Sequence, residues 1–175
     1  MKYVVTFGTV GGHTRRIADA IAQHIADARH EVVLHDASKR SRDLLVKECD
    51  ACVVAAPVHQ QRHPDAIINF TKANADRLNA MPSALVSVSI SAAFADGREE
   101  AQSYVDRLLS TTGWKPSATH ICAGALRYTQ YDFFQEQIIR HIVLKDRVPD
   151  DITGDHDFTN WDDLAKFVGQ FIDRA

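Results

Sequence analysis

The 175-residue chain has few cysteines, no excess of either charge and no long apolar run. Its three cysteines are an odd number, too few for a disulfide framework, and they fit a reducing compartment. The 20 basic and 23 acidic side chains give a net charge of −3 without blocks of like charge, which excludes the basic surface that nucleic-acid-binding proteins need. The N-terminal apolar run ends at Gly8 and is too short for a signal peptide or a membrane-spanning helix. We therefore expect a soluble, cytoplasmic protein.

Repeats, low-complexity tracts and flexible linkers are also missing from the sequence, so we predict one domain that spans residues 1–175. With 45% hydrophobic and 25% charged residues, the composition is that of an ordinary globular protein. A chain of this length buries roughly two thirds of the surface that its unfolded form exposes. It therefore needs neither a disulfide nor a structural metal to fold.

Short apolar runs alternate with helical patterns along the chain. Five runs rich in branched residues predict β-strands over residues 3–7, 32–34, 51–56, 85–90 and 118–123. Apolar residues at helical spacing predict helices over residues 17–25, 67–78, roughly 99–110 and from 162 onward, with Gly113 ending the third. The strands are apolar without alternation, which is typical of parallel strands covered on both faces. The pattern predicts a doubly wound α/β fold with helices on both faces of the sheet.

One stretch departs from this alternation, residues 124–158 after the fifth strand. It contains a predicted helix over residues 131–145 and a polar loop over residues 149–155. A connection of this length is usually functional or disordered. Function is favoured, because six apolar side chains would otherwise lack cover: Phe133, Phe134, Ile138, Ile139, Ile142 and Val143. We call residues 125–158 the insert.

The loop between the first strand and the first helix has the composition of a phosphate site. It consists of Thr9, Val10, Gly11, Gly12, His13 and Thr14. The unpaired N–H groups of a helix N-terminus converge at this point, the helix dipole adds positive charge, and glycine allows close approach. The lysine of a nucleotide triphosphatase loop is missing, and the glycines lack the spacing of a dinucleotide site. An ordinary strand-to-helix turn capped by a threonine is the alternative, and His13 either donates to phosphate or faces solvent.

Two further loops are predicted at the same edge of the sheet. In an open doubly wound sheet, ligands bind beyond the carboxyl ends of the strands. Residues 56–64 follow the third strand and residues 87–94 include the end of the fourth, and both segments combine polar and apolar groups that can flank a flat ring. A phosphate loop with two such neighbours suits flavin mononucleotide (FMN).

The pattern of Thr9, Gly12 and Thr14 resembles the phosphate loop of the flavodoxin superfamily, which has the form Thr-x-x-Gly-x-Thr. This resemblance implies a five-stranded parallel sheet in the order 2-1-3-4-5, here with a helical insert after the fifth strand. Further segments resemble the menaquinone-dependent protoporphyrinogen IX dehydrogenase family over nearly the whole chain: residues 77–84, 110–116, 123–128 and 159–161. The Gly-Ala-Leu-Arg-Tyr of residues 124–128 is the most specific of these segments.

The family resemblance implies a reaction and a set of site residues. The reaction is the transfer of electrons from protoporphyrinogen IX through FMN to a quinone in haem biosynthesis. The two propionates of this substrate suit arginine forks, so Arg127 and Arg62 are predicted to position it, with Arg98 as a further candidate. Tyr128 and Tyr131 are predicted to stack on a tetrapyrrole or a quinone. The implied cofactor-binding residues are Thr9, Val10, Gly11, Gly12, His13, Thr14, Ala56, Pro57, Val58, His59, Gln60, Gln61, Ser89, Ile90, Ser91 and Ala92.

Membrane contact and assembly stay open at the level of the sequence. Residues 125–147 carry four basic and three acidic side chains beside an apolar stripe, which permits weak docking at the inner face of the cell membrane. The stripe otherwise packs on the sheet or on a second subunit of a homo-oligomer. Packing is favoured, because an apolar helical face is most often part of a core.

Three rival functions also stay open: an electron-carrier flavodoxin, an FMN-dependent quinone reductase with another donor, and a flavodoxin-like scaffold without FMN. The insert and the modest charge argue against the carrier, because carriers usually dock through a strongly acidic face. Cys49 and Cys52 have a redox spacing but fall at the start of a buried strand, so we expect no thiol chemistry. His59 and His63 lack a third ligand at metal spacing, so we expect no metal site.

Overall fold

The computed structural model describes residues 1–39, 44–126 and 156–175, with the side chains of Leu44 and Leu45 excepted. Its central feature is a five-stranded parallel sheet in the order β2-β1-β3-β4-β5, which is the order that the resemblance implied. The strands are β1 (Lys2–Phe7), β2 (Glu31–Asp36), β3 (Ala51–Pro57), β4 (Ser83–Ser89) and β5 (Ala118–Ala123). The helices are α1 (His13–Asp27), α2 (Leu44–Lys47), α3 (Asp65–Ala73), α4 (Ala75–Asn79), α5 (Arg98–Thr112) and α6 (Trp161–Ile172).

The central strands are buried on both faces, as their unbroken apolar runs predicted. Every residue of β3 and β4 is buried. In register, Val53 lies between Val5 of β1 and Ala84 of β4. The edge strands β2 and β5 are only partly buried. Because the ladder is parallel, the carboxyl ends of β1, β3, β4 and β5 meet at one edge of the sheet.

Two helical layers cover the sheet. On one face, α1 and α6 pack on Tyr3 and Val53, and Ile17 and Phe171 lie in this layer of the core. On the other face, α3, α4 and α5 enclose a second layer that contains Leu78, Leu85 and Trp114. These layers follow the sequence period, since the apolar residues of each helix recur on the side that faces the sheet.

The helix boundaries differ from the prediction in two places. The predicted helix over residues 67–78 is two helices, because Asn74 leaves helical geometry with φ −111° and its side-chain amide donates to the Phe70 carbonyl at 2.8 Å. The short helix α2 has no counterpart in the prediction. Gly113 ends α5 with φ 71°, as predicted. The strand predicted over residues 85–90 begins two residues earlier and ends at Ser89.

The base of the insert is an antiparallel pair of two-residue strands, β6 (Ala125–Leu126) and β7 (His156–Asp157). The backbone N–H of Phe158 also donates to the Gly124 carbonyl at 3.1 Å. The predicted helix over residues 131–145 and the polar loop over residues 149–155 lie outside the described residues. Within the described ranges, no helix is long and apolar enough to cross a membrane.

Candidate functional site

A cleft lies at the edge of the sheet where the carboxyl ends of four strands meet. It contains about 490 Å³ of space, part of which is open to solvent. Loops after β1, β3, β4 and β5 form its walls. The lining residues are Val10, Gly11, His13, Thr14, Pro57, Val58, His59, Val88, Ser89, Ile90, Gly124 and Ala125. This is the position at which doubly wound sheets bind their ligands.

The loop after β1 is built to receive an anion. Gly12 precedes α1 with φ 83°, a left-handed conformation that favours glycine, and its N–H donates to Thr9 Oγ1 at 2.9 Å. Among the described residues, no side chain caps the N-terminus of α1, and the first turn of the helix contains no acidic residue. A phosphate group fits this position, because a helix N-terminus offers N–H groups and partial positive charge to an anion. Thr14, in that turn, lines the cleft.

His13 does not face solvent. The residue is buried, and its Nε2 lies 2.7 Å from Thr159 Oγ1 and 3.6 Å from Asp157 Oδ1. Asp157 lies at the C-terminal end of the insert and Thr159 directly follows the insert, 146 residues along the chain from His13. No local pattern predicts this contact, because only the tertiary fold brings together two residues that are 146 positions apart.

The loop after β3 forms a tight turn at the rim of the cleft. The backbones of His59 and Arg62 exchange two hydrogen bonds, of 2.8 and 3.1 Å. The two residues between them, Gln60 and Gln61, have φ of 47° and 61°. Residues other than glycine, asparagine and aspartate rarely adopt this left-handed backbone conformation, which costs about 1 kcal/mol per residue. Arg107 of α5 stabilises the turn, because its Nη1 donates to the Gln61 carbonyl at 3.1 Å.

His63 joins the ends of β3 and β4 beneath the cleft. Its Nδ1 lies 3.0 Å from the Pro57 carbonyl, which can only accept, so Nδ1 carries the proton. Its Nε2, 3.4 Å from Ser87 Oγ, is then an acceptor. Burial lowers the pKa of His63 from 6.5 to about 4. His63 therefore stays neutral at physiological pH and braces the strand end that carries Pro57.

The loop after β4 supplies Ser89 and Ile90 to the cleft but not the two residues after them. Ser91 is buried and its hydroxyl donates to Glu100 Oε2 at 2.8 Å. Ala92 lines a second and larger cavity at the edge of β5, which contains about 1270 Å³ of space, part of which is open to solvent. The backbone of Ser91 packs closely against Gly97, so that a Cβ atom at position 97 would lie 2.1 Å from the Ser91 carbonyl oxygen.

The remaining predicted cofactor residues lie around the cleft without lining it. Thr9 supports Gly12 from within the phosphate loop, Ala56 is wholly buried in β3, and Gln60 and Gln61 form the tip of the turn. Three lining residues stand outside the predicted cofactor set: Val88, from the candidate segment 87–94, and Gly124 and Ala125, from the family-specific segment 124–128. The sheet register brings them to the cleft, because Ser89 of β4 pairs with Ala123 of β5.

The two described candidates for positioning the substrate, Arg62 and Arg98, lie in different places. Arg62 is about half exposed on the rim turn and forms an ion pair with Asp65. Arg98 lies at the second cavity and not at the cleft. Arg127, Tyr128 and Tyr131 lie outside the described residues.

The cysteines are all buried and unpaired as thiols. Burial raises the pKa of Cys49, raises that of Cys52 well above its usual value, and raises that of Cys122 to about 12. Thiols with such pKa values stay protonated, so they are poor nucleophiles. In the described part of the chain, no three His, Cys, Asp or Glu side chains converge on a position that could hold a metal ion.

Comparisons with known proteins agree with this geometry. A family model described as flavodoxin domain matches residues 4–153. A protein of Escherichia coli strain K12 named protoporphyrinogen IX dehydrogenase (quinone) is 29% identical over 169 residues, 96% of this chain and 93% of that protein. A Leishmania major protein of the same name is 29% identical over 174 residues, 97% of this chain and 74% of that protein.

Solved structures show the same fold. Oxidised flavodoxin 1 from Bacillus cereus has a TM-score of 0.61 at 16% identity and covers 100% of this chain and 99% of its own. A flavodoxin from Streptococcus pneumonia TIGR4 has a TM-score of 0.54 at 19% identity and covers 83% of this chain and 99% of its own. The family model, the strand order and the open helix N-terminus at the phosphate loop indicate FMN as the cofactor, and the chain belongs to the flavodoxin domain family.

Proposed function

We propose that this protein is an FMN-dependent oxidoreductase that takes electrons from protoporphyrinogen IX and passes them to a quinone. The observation that carries the proposal is the similarity to the Escherichia coli protoporphyrinogen IX dehydrogenase (quinone), which extends over 96% of this chain and 93% of that protein. The aligned region covers nearly all of both proteins, so it includes the insert. A fold made only of alternating strands and helices would lack this segment. Fold alone would not support a substrate, because sites and not folds determine function.

The cleft supports the proposal through what its residues can do. FMN, when bound, supplies the redox chemistry by accepting an electron pair from the donor and giving it to the quinone. The N–H groups at the start of α1 and the Thr14 hydroxyl would hold the phosphate. Val58 and Ile90, from the loops after β3 and β4, would cover the ring and exclude water.

Cationic and aromatic side chains at the rim of the cleft would position the donor. A tetrapyrrole with two propionates requires cations at the rim of the cleft, and Arg127 is the preferred candidate with Tyr128 as a stacking group. Arg62 is the rim arginine in the described part of the loop after β3, and it pairs with Asp65. Exposed pairs of this kind contribute about 0–1 kcal/mol, so a propionate can recruit Arg62 at little cost.

A single-turnover experiment tests the reaction. The FMN-loaded protein is mixed anaerobically with protoporphyrinogen IX, and flavin absorbance is followed together with porphyrin fluorescence. We expect the flavin to bleach when the porphyrinogen is mixed in, because one FMN accepts two electrons. The conversion of a porphyrinogen to a porphyrin removes six electrons, so porphyrin fluorescence should appear, and the flavin recolour, only when an excess of a menaquinone analogue is added. A flavin that stays oxidised contradicts the assignment of the donor and leaves the fold and the cofactor intact. Arg62→Gln is the matched test of donor positioning, with Lys72→Gln, a surface change on α3, as its control.

The location and assembly of the protein form part of the same proposal. We expect the protein in the cytoplasm at the inner face of the cell membrane, because a quinone acceptor dissolves in the membrane, and the insert would then be the contact. The apolar stripe of the insert would otherwise pack on the sheet or on a second subunit of a homo-oligomer. Sedimentation with anionic lipid vesicles at low and high salt tests the membrane contact, and light scattering tests the homo-oligomer. Absence of binding at low salt contradicts the membrane contact.

A further inference from the structure

A cluster of side chains connects the phosphate loop to the C-terminal end of the insert and to the residues that follow it. We define the His13 cluster as His13 and Arg16 of α1 with Asp157, Thr159 and Trp161. We propose that His13 is a positioning residue that couples FMN binding at the phosphate loop to the placement of the base of the insert. This coupling requires only that FMN is the cofactor. Of the tests below, only the measurement of KM and kcat with protoporphyrinogen rests on the proposed function.

The direction of the central hydrogen bond follows from its neighbours. The Thr159 hydroxyl lies 2.8 Å from the Ala123 carbonyl, which can only accept, so the hydroxyl proton points there. The same oxygen lies 2.7 Å from His13 Nε2 and must therefore accept from it. His13 is therefore a donor through Nε2, and this Nε2 proton is shared with Thr159 and not with a phosphate.

Ionic and aromatic contacts add a second layer to the His13 cluster. Asp157 lies 3.6 Å from His13 Nε2 and 3.7 Å from Arg16 Nη1, and it accepts from Trp161 Nε1 at 3.2 Å. The Arg16 guanidinium lies over the Trp161 ring, 5.5 Å from its centre. Partial burial raises the pKa of Asp157, but the hydrogen bonds from the Thr159 backbone N–H and from Trp161 Nε1, together with the nearby His13, outweigh it, so the net pKa is lowered. Asp157 is thus a carboxylate at neutral pH.

The partners of His13 stand at the point where both arms of the insert leave the domain. Asp157 belongs to β7, which pairs with β6 on the outgoing arm, and Ala123 and Gly124 accept hydrogen bonds from Thr159 and Phe158. Gly124 and Ala125 line the cleft. His13 therefore connects the phosphate end of the cleft to the wall from which the insert extends.

This connection makes two events energetically dependent on each other. FMN phosphate binding fixes the first turn of α1, and that turn carries His13 and Arg16. Fixing these two side chains favours the native placement of the segment 156–161. Because linkage is reciprocal, a well-placed base of the insert must tighten FMN binding by the same factor. A hydrogen bond in this position predicts a factor of about 10.

The first test measures FMN affinity and amide hydrogen exchange in four variants. His13→Ala and Thr159→Val remove the donor and the acceptor, while His13→Gln and Thr159→Ser keep them. We expect the first two to weaken FMN binding about 10-fold and to abolish the slowing of exchange that FMN produces in the segment 156–161. The Gln and Ser variants should retain both effects, and His24→Ala, an exposed change on α1, should change neither.

A double variant separates coupling from general destabilisation. His13→Ala combined with Thr159→Val should bind FMN no more weakly than either single variant, because the pair acts as a unit. Additive losses, or FMN protection of the segment 156–161 that persists in His13→Ala, overturn the proposal. These readouts need no porphyrinogen, so they stand apart from the donor assignment. If protoporphyrinogen is the donor, His13→Ala should also raise its KM more than it lowers kcat.

Discussion

We expect acid to destabilise this protein in part through one buried imidazole, that of His63, and the contribution of this side chain can be isolated. His63 is 3% exposed and donates to the Pro57 carbonyl while it accepts from Ser87. Protonation would add a charge in a buried site and would leave Nε2 without an acceptor role. The perturbation that we propose is His63→Asn, which keeps an N–H near the Nδ1 position but does not titrate.

The magnitude follows from the shift in pKa. A histidine in the unfolded chain titrates at 6.5, and burial lowers the pKa of His63 in the folded protein to about 4. Between these values the unfolded state binds more protons, so stability falls as the pH falls. A shift from 6.5 to about 4 corresponds to about 3 kcal/mol in full, of which about 2 kcal/mol is lost by pH 5. Above pH 6.5 the contribution is fully present.

Denaturant unfolding at pH 7.5 and pH 5 measures this loss. The wild-type free energy of unfolding should fall by about 2 kcal/mol more than that of His63→Asn over this interval. Burial also lowers the pKa of His35, His59 and His120, but they are common to both proteins and cancel in the difference. The exposed His24→Asn should retain the full wild-type pH dependence. Parallel pH profiles of wild type and His63→Asn would refute the argument.

Three further changes test the walls of the cleft. Gly97→Ala should destabilise the protein by about 2–3 kcal/mol and weaken FMN binding, because its Cβ would meet the Ser91 carbonyl oxygen; denaturation and flavin titration measure both. Gln61→Gly should raise the Tm by about 2 °C, since glycine adopts φ 61° without strain. Thr14→Val should weaken FMN binding about 10-fold or more, by fluorescence titration, because a hydroxyl near a phosphate donates to a charged group.

Matched variants decide each of these outcomes. Gly169→Ala, where nothing lies within 4 Å of the added Cβ, should stabilise α6 by about 0.5–1 kcal/mol, and a Gly97→Ala protein of wild-type stability contradicts the steric argument. A lower Tm in Gln61→Gly means that the Gln61 side chain contributes more than its backbone costs. Thr111→Val, an exposed change on α5, should leave FMN affinity unchanged. Equal losses in both threonine variants contradict a phosphate contact by Thr14.

Much of the fold could be predicted from local patterns of residues in the sequence. The strands were predictable because parallel strands covered on both faces must be apolar throughout. Phosphate binding by the loop after β1 stays a prediction, which rests on the backbone and capping roles of its glycines and threonines. The division of the predicted helix at Asn74 was missed, because the apolar spacing continues across the break while the side-chain amide competes for the helical carbonyl. The placement of Ser91 away from the cleft was also missed, since its hydroxyl direction depends on Glu100 of α5.

The sequence by itself determined the alternation of strands and helices, the anion loop after β1 and the resemblance to a flavin-binding family, because each of these is encoded in a window of a few residues or in a linear motif. Tertiary structure alone decided which side chains meet across the chain. His13 finds Thr159 at a separation of 146 residues, and His63 becomes a neutral brace only because β3 and β4 end beside it. Side-chain partners and pKa values depend on packing between elements, and packing is set by the whole fold and not by any local pattern.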